Sequence, residues 1–163
     1  MSELRELLLL RHGIAEERGG PTPDELRALT PAGIRRTRLV IERLAALKLA
    51  ADRLVSSPLQ RARQTAELAL AAGLAPTLEL DQALAPGGDA LALLGSTRAE
   101  RLLLVGHEPD LGWLACRLIG APAGAIALKK AGLAVISLRP RPCLRLLLAP
   151  KLLLPAASAT APA

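Results

Sequence analysis

The chain has 163 residues, 51% of them hydrophobic, with 38 Leu, 31 Ala, one Trp and no Phe or Tyr, and Lys+Arg 21 outnumber Asp+Glu 15 for a net charge of +6. The length suits one domain with a substantial core, and the apolar content excludes a disordered chain. The near absence of aromatics excludes a single-strand binder that stacks bases on ring platforms. The charge is uneven. All 15 acids and 14 of the bases lie between Glu3 and Asp110, which gives −1 for that stretch, whereas seven bases and no acid follow it. The last third therefore reads as a positive face for an anion. Arg outnumbers Lys by 17 to 4, a bias that suits bidentate phosphate binding.

In chain order, Glu6–Leu10 is a short apolar run stopped by Arg11-His12-Gly13, and it reads as a buried strand. Gly19-Gly20-Pro21 with Pro23 marks a loop. Thr30-Pro31 is an N-cap followed by Pro at the first helical position, which predicts a helix to about Leu47 with Ile34, Leu39, Ile41 and Leu44 among its apolar positions. Arg53–Ser56 reads as a strand. Ser57-Pro58 repeats the cap-plus-Pro signal and predicts a helix to about Ala72, ended by Gly73. Thr77–Leu80 is a short edge strand. Pro86-Gly87-Gly88 is a turn, with Asp89 capping a helix through Leu94.

Arg101–Val105 is a further strand, stopped by Gly106-His107, and Leu111–Ile119 reads as a helix in which Trp113 packs in the core. Gly132–Leu138 and Leu144–Leu148 form a terminal hairpin through Arg139-Pro140-Arg141-Pro142. The tail from Pro155 reads as frayed. The alternation predicts an α/β three-layer sandwich with a mostly parallel central sheet flanked by helices, in a single domain over residues 1–154. Cys116 and Cys143 make no CxxC pair, no uncharged apolar run reaches membrane-spanning length, and Glu3 and Glu6 precede the first apolar run. These features point to a reduced cytoplasmic setting without a membrane association.

Ligands in parallel sheets bind beyond the carboxyl ends of the strands. Three such places carry polar chemistry: Arg11-His12-Gly13, Ser56-Ser57-Pro58 and Gly106-His107. A lone His is more often structural than functional, but both histidines of this chain follow a predicted strand directly, which points to a functional pair. Arg11 beside His12, with Gly13 allowing a sharp turn, suits a phosphate site. Arg61 lies in the first turn of the helix capped by Ser57, where the helix dipole and a guanidinium both favour an anion, against the plain alternative of a solvated helix Arg. A metal site on the two His with Glu108 and Asp110 matches no ligand spacing of a known kind. Ser56 and Ser57 lack the GxSxG elbow of a serine nucleophile, and Ser before Pro reads as a cap.

Four blocks resemble the histidine phosphatase superfamily, which includes the phosphoglycerate mutases. Leu9-Leu10-Arg11-His12-Gly13 is similar to its signature, and Leu29-Thr30-Pro31-Ala32-Gly33 to its first-helix motif. The stretch from Ser57 to Ala66, Ser-Pro-Leu-Gln-Arg-Ala-Arg-Gln-Thr-Ala, is similar to its second-arginine motif, and Val105-Gly106-His107 to its second-histidine motif. The resemblance spans roughly residues 7–138. Arg27 before Leu29-Thr30, the turn Leu84–Asp89, the late strand at Gly132-Leu133-Ala134 and the lack of the mutases' long insertion resemble the SixA-type phosphohistidine phosphatases.

The resemblance implies a phosphoglycerate mutase-like fold and a phosphatase that needs no metal or cofactor. It implies His12 as nucleophile through a transient phosphohistidine, with Arg11, Arg61 and His107 around the phosphoryl oxygens. Arg27 would be a substrate contact at the rim. No motif assigns the general acid that most of the family carries. Asp81 and Asp89 lie in the right stretch, with Asp89 read as a cap. Imidazole is a far weaker base than an alkoxide, so the missing acid favours a phosphohistidine substrate. The implied partner is a phosphorylated protein, such as a histidine-containing phosphotransfer domain, or a small phosphorylated molecule, with nucleic acid not expected. The alternatives are a small-molecule phosphomonoesterase of the same fold, and a non-catalytic phosphate or nucleic-acid binder that uses the basic C-terminal third. Lys129 and Lys130 precede the late strand, near the expected mouth of the site.

Overall fold

The apolar runs at 6–11, 101–106 and 133–137 become strands buried on both faces, whereas the edge strands at 78–80 and 143–148 are largely exposed. In a computed structural model that describes residues 3–154, six strands form one sheet: β1 (Glu6–Arg11), β2 (Arg53–Ser56), β3 (Leu78–Leu80), β4 (Arg101–Gly106), β5 (Leu133–Ser137) and β6 (Cys143–Leu148). Their order is β3-β2-β4-β1-β5-β6. The first four run parallel to one another, and β5 and β6 continue the sheet antiparallel. The helices are α1 (Pro31–Ala46), α2 (Gln60–Ala71), α3 (Ala90–Ser96), α4 (Asp110–Ile119) and the short α5 (Pro150–Leu153). This is the expected three-layer α/β sandwich with its terminal hairpin. The tail predicted to fray from Pro155 lies outside the described residues.

Leu7, Leu8, Leu9 and Leu10 of β1 are all fully buried. A strand pleats, so Leu8 and Leu10 face one side and Leu7 and Leu9 the other. Leu8 and Leu10 pack with α1 and α2 through Val40, Ile41, Leu44, Ala62 and Ala66. Leu7 and Leu9 pack with α3 and α4 through Leu93, Leu111, Leu114 and Ala115. A strand covered on both faces reads as an unbroken apolar run rather than as an alternation. In the adjoining β4, Leu103 is fully buried, and Leu103→Ala is expected to cost about 2–5 kcal/mol. Urea denaturation reads this directly, and a loss under about 1 kcal/mol would mean that the site collapses to fill the cavity.

Several local expectations are corrected by the packing. Leu39 is 48% exposed, because the buried stripe of α1 is Gly33, Thr37, Val40, Ile41 and Leu44, and Leu39 lies off it at the helical period. Trp113 is 51% exposed rather than in the core. The face of α4 turned to the sheet carries Leu111, Leu114 and Ala115, so Trp113 falls on the outer side with the Arg117 guanidinium 5.3 Å above its ring. Ser57 is not the cap of α2. That helix starts at Gln60, after Leu59, with no side-chain cap, and Ser57 is left free for another bond. Thr30 and Asp89 cap as expected, accepting from Gly33 N and Ala92 N. Asp81 caps a short 3₁₀ turn at Gln82–Leu84 that the sequence reading left out. No helix among the described residues is long and apolar enough to cross a membrane.

Candidate active site

Strand order builds the site. β1 and β4 are parallel neighbours in which Arg11 pairs with Gly106, and Ser56 of β2 pairs with Val105 on the other side of β4. The next residue on each strand is His12, His107 or Ser57, so all three emerge together at the carboxyl edge. His12 N donates to Gly106 O at 3.0 Å and Ser57 N to Val105 O at 2.9 Å, continuing the ladders one step past the strands. The two imidazole rings stand 5.1 Å apart between centroids. Around them is a pocket of about 700 Å³ lined by Arg11, His12, Arg27, Arg61, His107 and neighbouring loop residues. All five sequence-predicted site residues therefore meet in one place.

The His12 ring is pinned. Its Nδ1 lies 2.7 Å from Gly13 O, and because a carbonyl only accepts, Nδ1 carries the proton. That leaves the lone pair on Nε2. Burial, acting against the Gly13 carbonyl and joined by the charges of His107, Arg61 and Arg11, lowers the His12 pKa to about 3. Gly13 serves close approach and not a positive-φ turn: a Cβ there would run into Thr37 Oγ1 of α1. Its N–H donates to Thr65 Oγ1 at 3.1 Å, and the Thr65 hydroxyl donates to Arg61 O at 2.8 Å. The loop after β1 is thus tied to the first turn of α2.

His107 Nε2 lies 2.8 Å from Ser57 Oγ. That oxygen also accepts from Leu59 N at 3.3 Å; giving the hydroxyl's one proton to Nε2 would place the His107 proton on Nδ1. Burial, with the Arg61 charge next, lowers the His107 pKa to about 4. Arg11 donates from Nη1 to Leu128 O at 2.8 Å. Arg61, 1% exposed, donates from Nη1 to Asp24 O at 2.6 Å and meets Asp24 Oδ2 at 3.1 Å. Four buried side-chain polar atoms among the described residues lack a hydrogen-bond partner, and three are Arg11 Nε, Arg61 Nε and His107 Nδ1. Orphaned buried polar atoms are costly and rare, and these three belong to residues that line one pocket.

Arg27 is buried rather than placed at the rim. It lines the pocket but bonds Asp24 Oδ1 through Nε at 2.9 Å and Glu16 O through Nη1 at 2.6 Å. Asp24 is the residue that sequence reading missed. Burial raises its carboxyl pKa, but hydrogen bonding and charge from Arg61, then Arg27, outweigh this and hold it below the usual range. Only its spacing three before Arg27 hinted at this. Asp81 and Asp89 cap their helices and do not line the pocket. Glu108 and Asp110 do, accepting from Leu128 N at 2.7 Å and Gly87 N at 3.0 Å. Among the described residues no group of three or more His, Cys, Asp or Glu is placed to hold a metal ion. Lys130 lines the pocket and Lys129 does not.

The imidazole pKa values carry a pH dependence. Unfolded, both rings titrate near about 6.5; folded, His12 sits at about 3 and His107 at about 4. Between those limits the unfolded chain binds more protons, so these groups make stability rise with pH up to roughly 6.5 and add nothing above it. Urea midpoints are expected to fall on acidification below that point, less steeply for His107→Gln. An imidazole NMR titration checks the cause directly, and a midpoint near 6.5 for either ring contradicts it.

Residues 7–85 match the histidine phosphatase superfamily (branch 1). An uncharacterized protein of Picosynechococcus sp. (strain PCC 7002) is 43% identical over 141 residues, covering 82% of this chain and 84% of that one. The structure is similar to a candidate phosphohistidine phosphatase, SixA, from Agrobacterium tumefaciens, with a TM-score of 0.79 and 25% identity over 91% of this chain and 99% of that one. It shares its fold with the alpha-ribazole phosphatase of Shigella flexneri, with a TM-score of 0.71 and 19% identity over 89% and 96% of the two chains.

Proposed function

The chain belongs to the histidine phosphatase superfamily and is a phosphatase; on that premise we propose that it removes phosphate from phosphohistidine on a protein, with His12 as nucleophile. The observation that carries the reading is the pinned His12 ring. With Nδ1–H held by Gly13 O and a pKa of about 3, the ring is neutral and Nε2 holds its lone pair throughout the physiological range.

In the proposed first step Nε2 attacks phosphorus in line. The bond from phosphorus to the substrate imidazole nitrogen breaks, and that nitrogen leaves with the electron pair as neutral imidazole, the other nitrogen of the substrate ring carrying a proton. Arg11, Arg61 and His107 donate to the phosphoryl oxygens and stabilise charge on them as the bonds change. The orphaned atoms Arg11 Nε, Arg61 Nε and His107 Nδ1 fit that role. Water then attacks the His12 phosphohistidine, releasing inorganic phosphate and the neutral ring. Asp24 and Arg27 act as positioning residues for Arg61.

Support for an N–P substrate comes from the carboxylates. Asp81 and Asp89 are spent on caps outside the pocket, and of the four acids that line it, Glu16, Glu17, Glu108 and Asp110, the last two accept from backbone N–H groups. An alkoxide leaving group needs strong protonation, and imidazole needs less. The pocket also lacks Phe, Tyr and Trp walls that would grip a flat small molecule. The experiment compares a phosphohistidine-bearing protein with p-nitrophenyl phosphate under the same conditions. Higher kcat/KM on the phosphoprotein is expected, and higher kcat/KM on the ester overturns the proposed substrate in favour of a small phosphomonoester.

A further inference from the structure

Three of the seven cations that follow Asp110 gather in one place. Lys129, Lys130 and Lys151 meet Arg36 of α1 and Arg11 around a second cavity of about 490 Å³. This cavity shares Arg11 and Lys130 with the phosphate pocket, so the two adjoin. Lys129, Lys130 and Lys151 are exposed and Arg36 is half-buried. None of these four forms an ion pair among the described residues, although Arg53, Arg63 and Arg101 elsewhere on the surface pair with Glu79, Glu67 and Glu6. No acid lines the cavity, and the sequence has no Asp or Glu after Asp110. The phosphate pocket itself is mixed in sign: Glu16, Glu17, Glu108 and Asp110 line it together with Arg11, Arg18, Arg27, Arg61 and Lys130. The adjoining cavity, toward α1 and α5, is therefore the one with basic residues and no acid in its lining.

We propose that this basic cavity docks an acidic stretch of the substrate protein beside its phosphohistidine. The inference rests on the protein-phosphohistidine reading and adds the orientation and charge of the partner. A discrete second phosphate would need fixed donors of the kind that Arg61 supplies, buried and held by Asp24. Arg36, Lys129, Lys130 and Lys151 instead have side chains without hydrogen bonds among the described residues, and the three lysines are exposed. Such charges act through their summed field, which steers and orients an extended acidic surface without gripping one group. Like charges crowded without partners repel one another, so an acidic segment that enters relieves that repulsion as it binds.

The test is the charge reversal Arg36→Glu, Lys129→Glu, Lys151→Glu, with Lys130 kept because it lines the phosphate pocket. The substrates are a phosphohistidine protein with an acidic flank and phosphoramidate, a small N–P compound. For the unmodified protein, kcat/KM on the acidic phosphoprotein is expected to fall about tenfold between roughly 20 mM and 200 mM salt. The triple variant is expected to lose about tenfold at low salt and most of the salt dependence, with phosphoramidate turnover unchanged within about twofold. Equal losses on both substrates, or no loss on the phosphoprotein, overturn the docking site.

Binding of a labelled poly-Glu peptide, followed by fluorescence anisotropy, judges the surface without catalysis. Binding that the triple variant abolishes supports the proposal even if neither substrate is turned over, an outcome that would defeat the functional reading alone. Failure of the peptide to bind, or preference for an RNA of equal charge, overturns it.

Discussion

Replacing His12 by Ala is expected to lower kcat by about 10⁴-fold or more, since removal of a covalent nucleophile leaves only binding and electrostatic terms. The geometry explains why no neighbour substitutes. His107 is the nearest second ring, 5.1 Å away, but its Nε2 is taken by Ser57. His12 lies in a loop held independently by His12 N to Gly106 O and Gly13 N to Thr65 Oγ1, so the fold is expected to survive the substitution. Two measurements check the result together: steady-state turnover, and rapid-quench trapping of acid-labile, base-stable phosphate on the enzyme. The trapped phosphate should vanish in the variant. Activity that persists in His12→Ala removes His12 from the nucleophile's role.

Replacing Arg61 by Lys is expected to lower kcat/KM by about 10²–10³-fold, the scale for losing a preorganised donor to transition-state charge. The charge survives in this variant, but the planar fork does not. In the structure that fork spends Nη1 and Nη2 on Asp24 and keeps Nε without a partner. An ammonium has one centre and cannot hold Asp24 and a phosphoryl oxygen in the same geometry. Arg61→Ala is harsher: it leaves Asp24 with Arg27 and Arg18 only, and opens a buried space, so stability should fall along with activity. The Lys variant separates the two effects, because its urea midpoint is expected to stay near the starting value. A Lys variant with undiminished kcat/KM would reduce Arg61 to a structural ion-pair partner of Asp24.

The proposed site was partly legible because its main residues sit at boundaries. Arg11-His12-Gly13 and Gly106-His107 each end an apolar run, and such stops show in one dimension. The caps at Thr30 and Asp89 were legible for the same reason: the orphaned N–H groups of a helix start recruit an oxygen close in sequence. Ser57 misled because the same hydroxyl suits two partners. Its position before Pro58 looks like a cap, but its bond is to His107, 50 residues later. Asp24 lies in a short 3₁₀ turn, and its partner Arg61 is 37 residues away. Trp113, which follows the His107 loop and reads as a core residue, lies instead on the outer side of α4, as its helical position requires.

The strand–helix alternation, the placing of both histidines after strands, Arg11 and Arg61 of the proposed phosphate site, and the lack of any acid after Asp110 are all legible along the chain. These are local or compositional properties, set by side-chain type and by spacing along the chain. The tertiary structure alone decided that β4 lies between β1 and β2, and so that residues 12, 57 and 107 share one edge. It alone showed Asp24 on Arg61, and it alone gathered Arg36, Lys129, Lys130 and Lys151 around one cavity. Such contacts join positions tens of residues apart. They follow from which strands pair and which helix faces they bury, and that choice is made by the packing of the whole core rather than by any one segment.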